Sequence, residues 1–366
     1  MPKTFGFPKV LLPLLRCPVD SSQLSVDHEA QGDDDVIVDG SIRCVQCQRY
    51  CQIEGGIVRM MTDALTQETE LEIALKDQEY EAMPEVFTPQ PAGWRSELLD
   101  RMEIPPHLEA LRPLEGRRVL EIGCGDGRFT TLMSQLGADV LAVDFSLAGL
   151  QRVKKNLQSG VAPTTYKVPR PRTPGTPAGR VGLVQADASK FHVAPCSFDR
   201  ALSATPLDSR DERMRMYHTV AESLNDSGRY VAGVEHDDLH RRILGLPMIR
   251  RYTAGGVLIE HLDIPTMRRE IAPYFRRIRI RSIRAHLPFV RRLQPPIAVT
   301  VAVSRVCCAI PGLRHLGEIL VACAERPIRI PVEGARRPDF LNARSLYRRY
   351  KRWRGEEATW DGSELL

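Results

Sequence analysis

Three glycines at alternate positions, Gly123, Gly125 and Gly127, directly follow the apolar run Val119–Ile122. Within that run stands one acid, Glu121. A helix-like segment, Phe129–Leu136, comes next, and a second apolar run, Val140–Val143, ends on Asp144, seventeen residues past Gly127. Strand, glycine turn, helix, strand and acid form the layout of a nucleotide-binding βαβ unit. Glycines let the backbone turn sharply and approach a ligand closely. An acid at the end of the second strand can accept both hydroxyls of a ribose.

The spacing narrows the nucleotide. A dinucleotide fingerprint wants glycine at its sixth position, where Arg128 stands. A phosphate-binding P-loop needs Gly-Lys-Ser/Thr after its turn, and none is present. The pattern Glu121-x-Gly-x-Gly-x-Gly127, with Asp144 behind it, resembles motif I of class I S-adenosylmethionine-dependent methyltransferases of the type 11-like kind. This resemblance implies an α/β fold: a doubly wound, seven-stranded Rossmann-like sheet whose last strand inserts antiparallel beside strand 5.

It also implies roles. Glu121, Gly123, Cys124, Gly125 and Gly127 would line the methionine end of S-adenosyl-L-methionine and the turn under its ribose. Asp144 would bind the ribose hydroxyls, with Phe145 beside the adenine. Asp187 and Ala188, in Gln185-Ala-Asp-Ala188, match the acid turn after strand 3 that meets the adenine amine. Ser203 ends strand 4 at the methyl-accepting edge. Ser203-Ala-Thr-Pro-Leu-Asp208 departs from the Asn/Asp-Pro-Pro-Tyr/Phe signature of amino-group methylation on bases and glutamine. Asp208 could orient an acceptor or cap the next helix.

Methyl transfer from a sulfonium is an in-line displacement with a neutral leaving group. Near-attack geometry is the chief requirement, and no dedicated catalytic residue is obligatory. His236, in Glu235-His-Asp-Asp238 after strand 5, is the candidate base for a hydroxyl acceptor; the alternative is an ordinary loop histidine. His261 is a weaker candidate.

A second set of ligand-type residues lies near the N-terminus. Cys17-Pro-Val-Asp20 is followed by a polar loop and then by Cys44, Cys47, Tyr50, Ile53, Gly56-Ile57 and Met60-Met61. Two Cys-bearing turns separated by a loop are how a zinc ribbon is built. The second half resembles the Trm112-like family, short zinc-binding modules that accompany methyltransferases. In the first half Asp20 replaces the expected second cysteine. A zinc held by Cys17, Asp20, Cys44 and Cys47 and a metal-free ribbon both remain open, with Cys51 a spare thiol close by.

The chain of 366 residues suits about two domains, and its 43% hydrophobic content supports a sizeable core. Nine cysteines, an odd number in a large chain, argue against a disulfide framework. No stretch approaches the ~20 apolar residues of a membrane span. Lys9–Leu15 is too short for a signal peptide. The expectation is a cytoplasmic protein. Net charge is only +5, but Arg241–Arg305 holds fourteen arginines, no lysine and three acids. Such a bias suits RNA, an anionic substrate or peripheral contact with a membrane surface, or is a solvated basic face.

Four parts are expected: a zinc-ribbon-like module over 1–62, a helical connector over 63–113, the methyltransferase domain over 114–334, and a charged tail over 335–366. Connector helices are predicted over Leu65–Tyr80 and Glu97–Leu111, the latter as a cap on the cofactor cleft. Strands are predicted over Gly182–Asp187, Phe198–Ser203 and Arg229–Val234, with helix Glu212–Leu224 stopped by Asn225–Gly228. Arg277–Ala285 alternates as a half-exposed edge strand does. Insertions 238–265 and 287–316 read as lids, and apolar Pro296–Val303 suits a lipophilic substrate in an enclosed pocket.

The leading expectation is therefore a methyltransferase acting on a small or medium-sized acceptor. The alternative is an rRNA or tRNA base methyltransferase, since a ribbon ahead of such a domain resembles the large-subunit guanine-N1 enzymes. Those have four cysteines in the ribbon, and 6% aromatic content offers little base stacking here. A further alternative is a non-catalytic cofactor-binding scaffold.

Overall fold

The computed structural model describes residues 5–62, 65, 67–83, 93–166, 178–204, 209–247, 249–251, 258–285 and 293–329. The N-terminal module contributes β1 (Phe7–Pro8), β2 (Leu24–Gly32), β3 (Val36–Cys44), β4 (Tyr50–Glu54) and β5 (Ile57–Arg59). Helices α1 (Gln67–Glu81) and α2 (Trp94–Leu111) form the connector. The alternating core then runs β6 (Arg118–Ile122), α3 (Arg128–Gln135), β7 (Asp139–Asp144), α4 (Leu147–Ser159), β8 (Val181–Gln185), β9 (Phe198–Ser203), α5 (Arg210–Ser223) and β10 (Leu224–Glu235). After it come α6 (Leu239–Ile243), the hairpin β11 (Ile249–Arg251) and β12 (Leu258–Glu260), then α7 (Ile264–Ile271), β13 (Phe275–Ala285), α8 (Ile297–Ala309), a 3₁₀ turn Leu313–Leu316 and β14 (Gly317–Pro327).

The strands β8-β7-β6-β9-β10-β14-β13 stand side by side in that order, and β14 is antiparallel to both neighbours. This is the expected seven-stranded, doubly wound sheet. Its strands β6, β7 and β8 are buried on both faces because both are covered. On β6, Leu120 and Ile122 face the core that includes Met216 and Tyr217 of α5 and Met267 of α7. Val119 points the other way, into the core with Leu132 of α3, Val153 of α4 and Leu108 of α2. That opposition is the period-two geometry of a strand.

The N-terminal module does not hang beside this sheet; it lengthens it. β5 pairs in parallel with β8, Ile57 opposite Leu183 and Arg59 opposite Gln185. The result is one sheet of twelve strands, with β2 attached to β3 off the main path. Phe7 fills the space over Gly182, where a Cβ would come within 2.8 Å of its ring.

Two local expectations change. Asn225–Gly228 does not close a helix: α5 ends at Ser223, and the turn residues form an irregularity inside β10, between Leu224 and Arg229. Pro296–Val303 does not line an enclosed pocket. It opens α8, whose Val299 and Val303 face outward. The edge-strand expectation holds: β13 is the last strand of the sheet and its first arginines are exposed. Among the described residues no helix is long and apolar enough to cross a membrane.

Candidate functional site

The turn after β6 is built as its glycines demand. Gly125 and Gly127 have φ of +55° and +83°, left-handed values that side chains resist. A Cβ on Gly127 would also meet Val153 at 2.8 Å, and one on Gly125 would meet the Tyr80 hydroxyl at 2.6 Å. Gly123 shares the left-handed region, at +74°.

Asp144, at the end of β7, folds back on this turn. Its carboxylate accepts the Gly125 amide at 2.8 Å and the Ser146 amide at 2.9 Å. Burial pushes its pKa up, and those two amides oppose the push. A carboxylate has about four lone-pair sites, so the two amides leave it acceptor capacity for ribose hydroxyls. Ser146 is the N-cap of α4, its hydroxyl accepting the Gly149 amide at 3.0 Å.

Glu121 lies beneath the turn, fully buried. The Thr130 hydroxyl donates to it at 2.5 Å. Burial pushes its carboxyl up to about 8, and the neighbouring Asp144 adds to the rise. Cys124 is likewise buried, and burial beside Asp144 and Glu121 holds it a neutral thiol. Two acidic groups kept neutral by burial, Glu121 and Cys124, thus lie under the turn beside Asp144.

A cleft of about 490 Å³ opens over these residues. Glu121, Gly123, Cys124 and Gly125 line its floor, and Ala204, just past Ser203 and β9, lines its acceptor edge. The connector helices supply the roof. From α2 come Ser96, Leu99, Asp100 and Glu103. Arg128 ties that helix down, donating to Glu103 at 2.9 Å and to Asp100 at 3.4 Å. Asp100 in turn accepts the Thr165 amide at 2.8 Å. From α1, Tyr80 covers Gly125, while Asp77 accepts the Ser146 hydroxyl at 2.5 Å and the Ala148 amide at 3.2 Å. An acid at a helix N-terminus is favoured by the exposed amides there. Tyr80, Asp77, Asp100 and Glu103 carried no motif signal; only the expected connector helices over Leu65–Tyr80 and Glu97–Leu111 pointed near them.

The remaining expected residues fall at different distances from the cleft. Phe145 is half-buried beyond Asp144, its carbonyl accepting Gln185 Nε2 at 3.0 Å. Asp187 is spent locally: it accepts the Ser189 amide and hydroxyl at 2.8 and 2.7 Å and pairs with Lys190 at 3.3 Å. Ala188 and Ser203 are buried. His236 sits behind the lining, its Nδ1 held 2.6 Å from the Gly317 carbonyl. Burial keeps its ring neutral, and its Nε2 has no partner among the described residues. Asp208 lies outside the described residues. His261 is buried at the end of β12.

In the N-terminal module the structure brings Cys17, Asp20, Cys44 and Cys47 together, one ligand atom of each within 4.8 Å of the others. The sulfurs of Cys17 and Cys47 are 3.5 Å apart, and Cys44 Sγ lies 3.4 Å from Asp20 Oδ2. Backbone amides of Gln46 and Cys47 both point at Cys44 Sγ, at 3.4 Å. Against burial, which pushes it up, the Ser22 amide and the thiols of Cys17 and Cys44 hold the Asp20 carboxyl at about 2. Cys51 is buried in β4 and stands outside the cluster.

Residues 119–228 match a family model described as a methyltransferase domain. Phosphoethanolamine N-methyltransferase 3 of Arabidopsis thaliana is 53% identical over 47 residues, 13% of this chain and 10% of that protein. A ubiquinone biosynthesis O-methyltransferase of Bordetella avium is 37% identical over 93 residues, 25% of this chain and 39% of that one. The chain therefore spans well under half the length of these two relatives. Among solved structures, phosphoethanolamine N-methyltransferase 1 of Haemonchus contortus superposes with a TM-score of 0.45 at 15% identity, over 79% of this chain and 54% of that one.

Proposed function

We propose that this chain, which carries a class I S-adenosylmethionine-dependent methyltransferase domain, moves the cofactor's methyl group onto a small or medium-sized acceptor, with lipophilic acceptors the first to test. The observation that carries the reading is the cleft of about 490 Å³ between the glycine turn and α2, with Ala204 at its acceptor edge. Its size suits a small ligand beside the cofactor rather than a polymer track. The names of the two relatives, a phosphoethanolamine and a ubiquinone-biosynthesis enzyme, point to small acceptors as well.

The residues fit the cofactor. A buried acid with unused lone pairs, Asp144, stands beside a backbone that only glycine permits at Gly125. Buried Glu121 places a second carboxyl under a ligand that is cationic. When bound, S-adenosylmethionine supplies a methyl group on a sulfonium that leaves as a neutral thioether. What the chain must do is hold and enclose. Asp144 would fix the ribose, Gly123–Gly127 would admit close approach, Phe145, Asp187 and Ala188 would flank the adenine, and Ser203 would border the methyl. Tyr80 and α2 exclude water from above. Of the two His236 nitrogens only Nε2 is open to the proton of a hydroxyl acceptor, since Nδ1 is committed to Gly317, and reaching it requires the lining that covers the ring to open.

The test is methyl-labelled cofactor incubated with purified protein and, separately, a total lipid extract and total RNA. Label in the organic phase is the expected result; label in RNA would replace this reading with base methylation. His236→Gln should lower kcat by about a hundredfold and remove the base limb of the pH profile. An unchanged kcat removes His236 from the reaction.

For the N-terminal module the reading is one structural zinc on Cys17, Asp20, Cys44 and Cys47. Three sulfurs and one carboxylate are a donor set zinc accepts, and amides aimed at Cys44 Sγ suit a thiolate there.

A further inference from the structure

Helix α8 wears its polar side inward. Thr300 and Ser304 are only 6% and 4% exposed, whereas Val303 and Val306 are 54% and 59% exposed. Thr300 satisfies its hydroxyl on the Pro296 carbonyl at 3.3 Å. Val299, Val303, Val306 and Ile310 recur at i, i+4, i+7 and i+11, so they form one stripe along the outer face. A helix facing water shows the opposite arrangement. The stripe continues into exposed Leu313, and the 3₁₀ turn that carries Leu313 packs against α6, where Ile243 is 74% exposed.

From 293 to 316 the chain holds two arginines and no acid, while on α6 Arg241 and Arg242 are paired with Asp237. Arg305 lies within the exposed length of α8 and Arg314 lies just past it, both exposed. Two copies of this chain meeting through the stripe would bring those arginines together, a like-charge contact that disfavours self-association. An apolar face edged by arginines is matched instead by a bilayer with anionic headgroups.

We propose that α8 and α6 dock this protein on the surface of an anionic phospholipid bilayer, the valine stripe entering the headgroup boundary and the arginines meeting lipid phosphates. The face adjoins the cleft. Trp94, which opens α2, donates to the Pro295 carbonyl at 2.8 Å just before α8, and α2 roofs the cleft. Delivery of a membrane-dissolved acceptor rests on the lipophilic-acceptor reading; the docking does not.

Flotation of the full chain with vesicles tests this, using phosphatidylcholine alone and phosphatidylcholine mixed with phosphatidylglycerol. Val303→Glu/Val306→Glu and Arg305→Glu/Arg314→Glu are compared with wild type, and unchanged melting temperature and S-adenosylhomocysteine binding certify their folding. The wild type should float with the anionic vesicles, be released by salt, and bind at least about tenfold more than either variant. Absence of flotation, equal binding to neutral vesicles, or binding that neither variant weakens would overturn the proposal. So would a wild-type dimer without flotation that Val303→Glu/Val306→Glu turns into a monomer, because the stripe would then belong to a second copy. Vesicle binding without methyl transfer to lipid leaves the docking standing and sinks only the acceptor reading.

Discussion

Arg128 donates to Glu103 at 2.9 Å and so joins the first residue after the glycine turn to the helix above it. Burial opposes the charge of Glu103, but Arg128 holds its carboxyl below the usual range. Removing the cation leaves Glu103 and Asp100 buried without it. Arg128→Leu should therefore cost about 2–4 kcal/mol in urea unfolding, while Arg128→Leu/Glu103→Leu should cost less than the single change. Equal or greater loss in the double variant would show that the pair does not hold α2 down.

Asp144 links cofactor and turn at once. Its replacement by Ala removes charge-assisted hydrogen bonds worth about 1.5–3 kcal/mol, so S-adenosylhomocysteine should bind at least about tenfold more weakly. Calorimetry reads this directly, and matching affinities would remove Asp144 from the site.

Glu121 makes stability depend on pH. Its carboxyl rises from 4.5 in the open chain to about 8 in the fold, through burial first. A raised folded value means that its contribution is fully present below 4.5 and is lost as pH climbs through about 8. Urea melts of the ligand-free protein should show a decline across that window, which Glu121→Gln reduces. A cationic ligand above the carboxyl favours its charged form, so binding S-adenosylmethionine should release protons. Calorimetry in buffers of different ionisation enthalpy measures that release; proton uptake would contradict it.

The cysteine cluster predicts a metal count. Protein purified without chelator or metal-affinity resin should carry one equivalent of zinc by elemental analysis. Cys47→Ser should lose it, and Cys51→Ser, outside the cluster, should keep it. Zinc well below one equivalent in the wild type makes the module a metal-free ribbon.

Much of the site was readable before any fold was known. The left-handed backbone at Gly123, Gly125 and Gly127, the Ser146 cap and the acid ending β7 are set by residues a few places apart, where local sterics and hydrogen bonding decide. The same holds for the continuous buried run of β6 and for the paired spacing that gathers Cys17, Asp20, Cys44 and Cys47.

Other features needed the tertiary structure because their partners are far apart in the chain. Nothing near Ile57 announces that β5 will pair with Leu183 of β8 and extend the sheet, since an open strand edge accepts any matching strand. Tyr80 reaches Gly125, and Asp77 reaches Ser146, only once α1 lies across α4. Helical periodicity marks Val299, Val303 and Val306 as one stripe, but it is silent on which way the stripe turns. Packing against α2 and β13 decided that, burying Thr300 and Ser304 and leaving the valines outside.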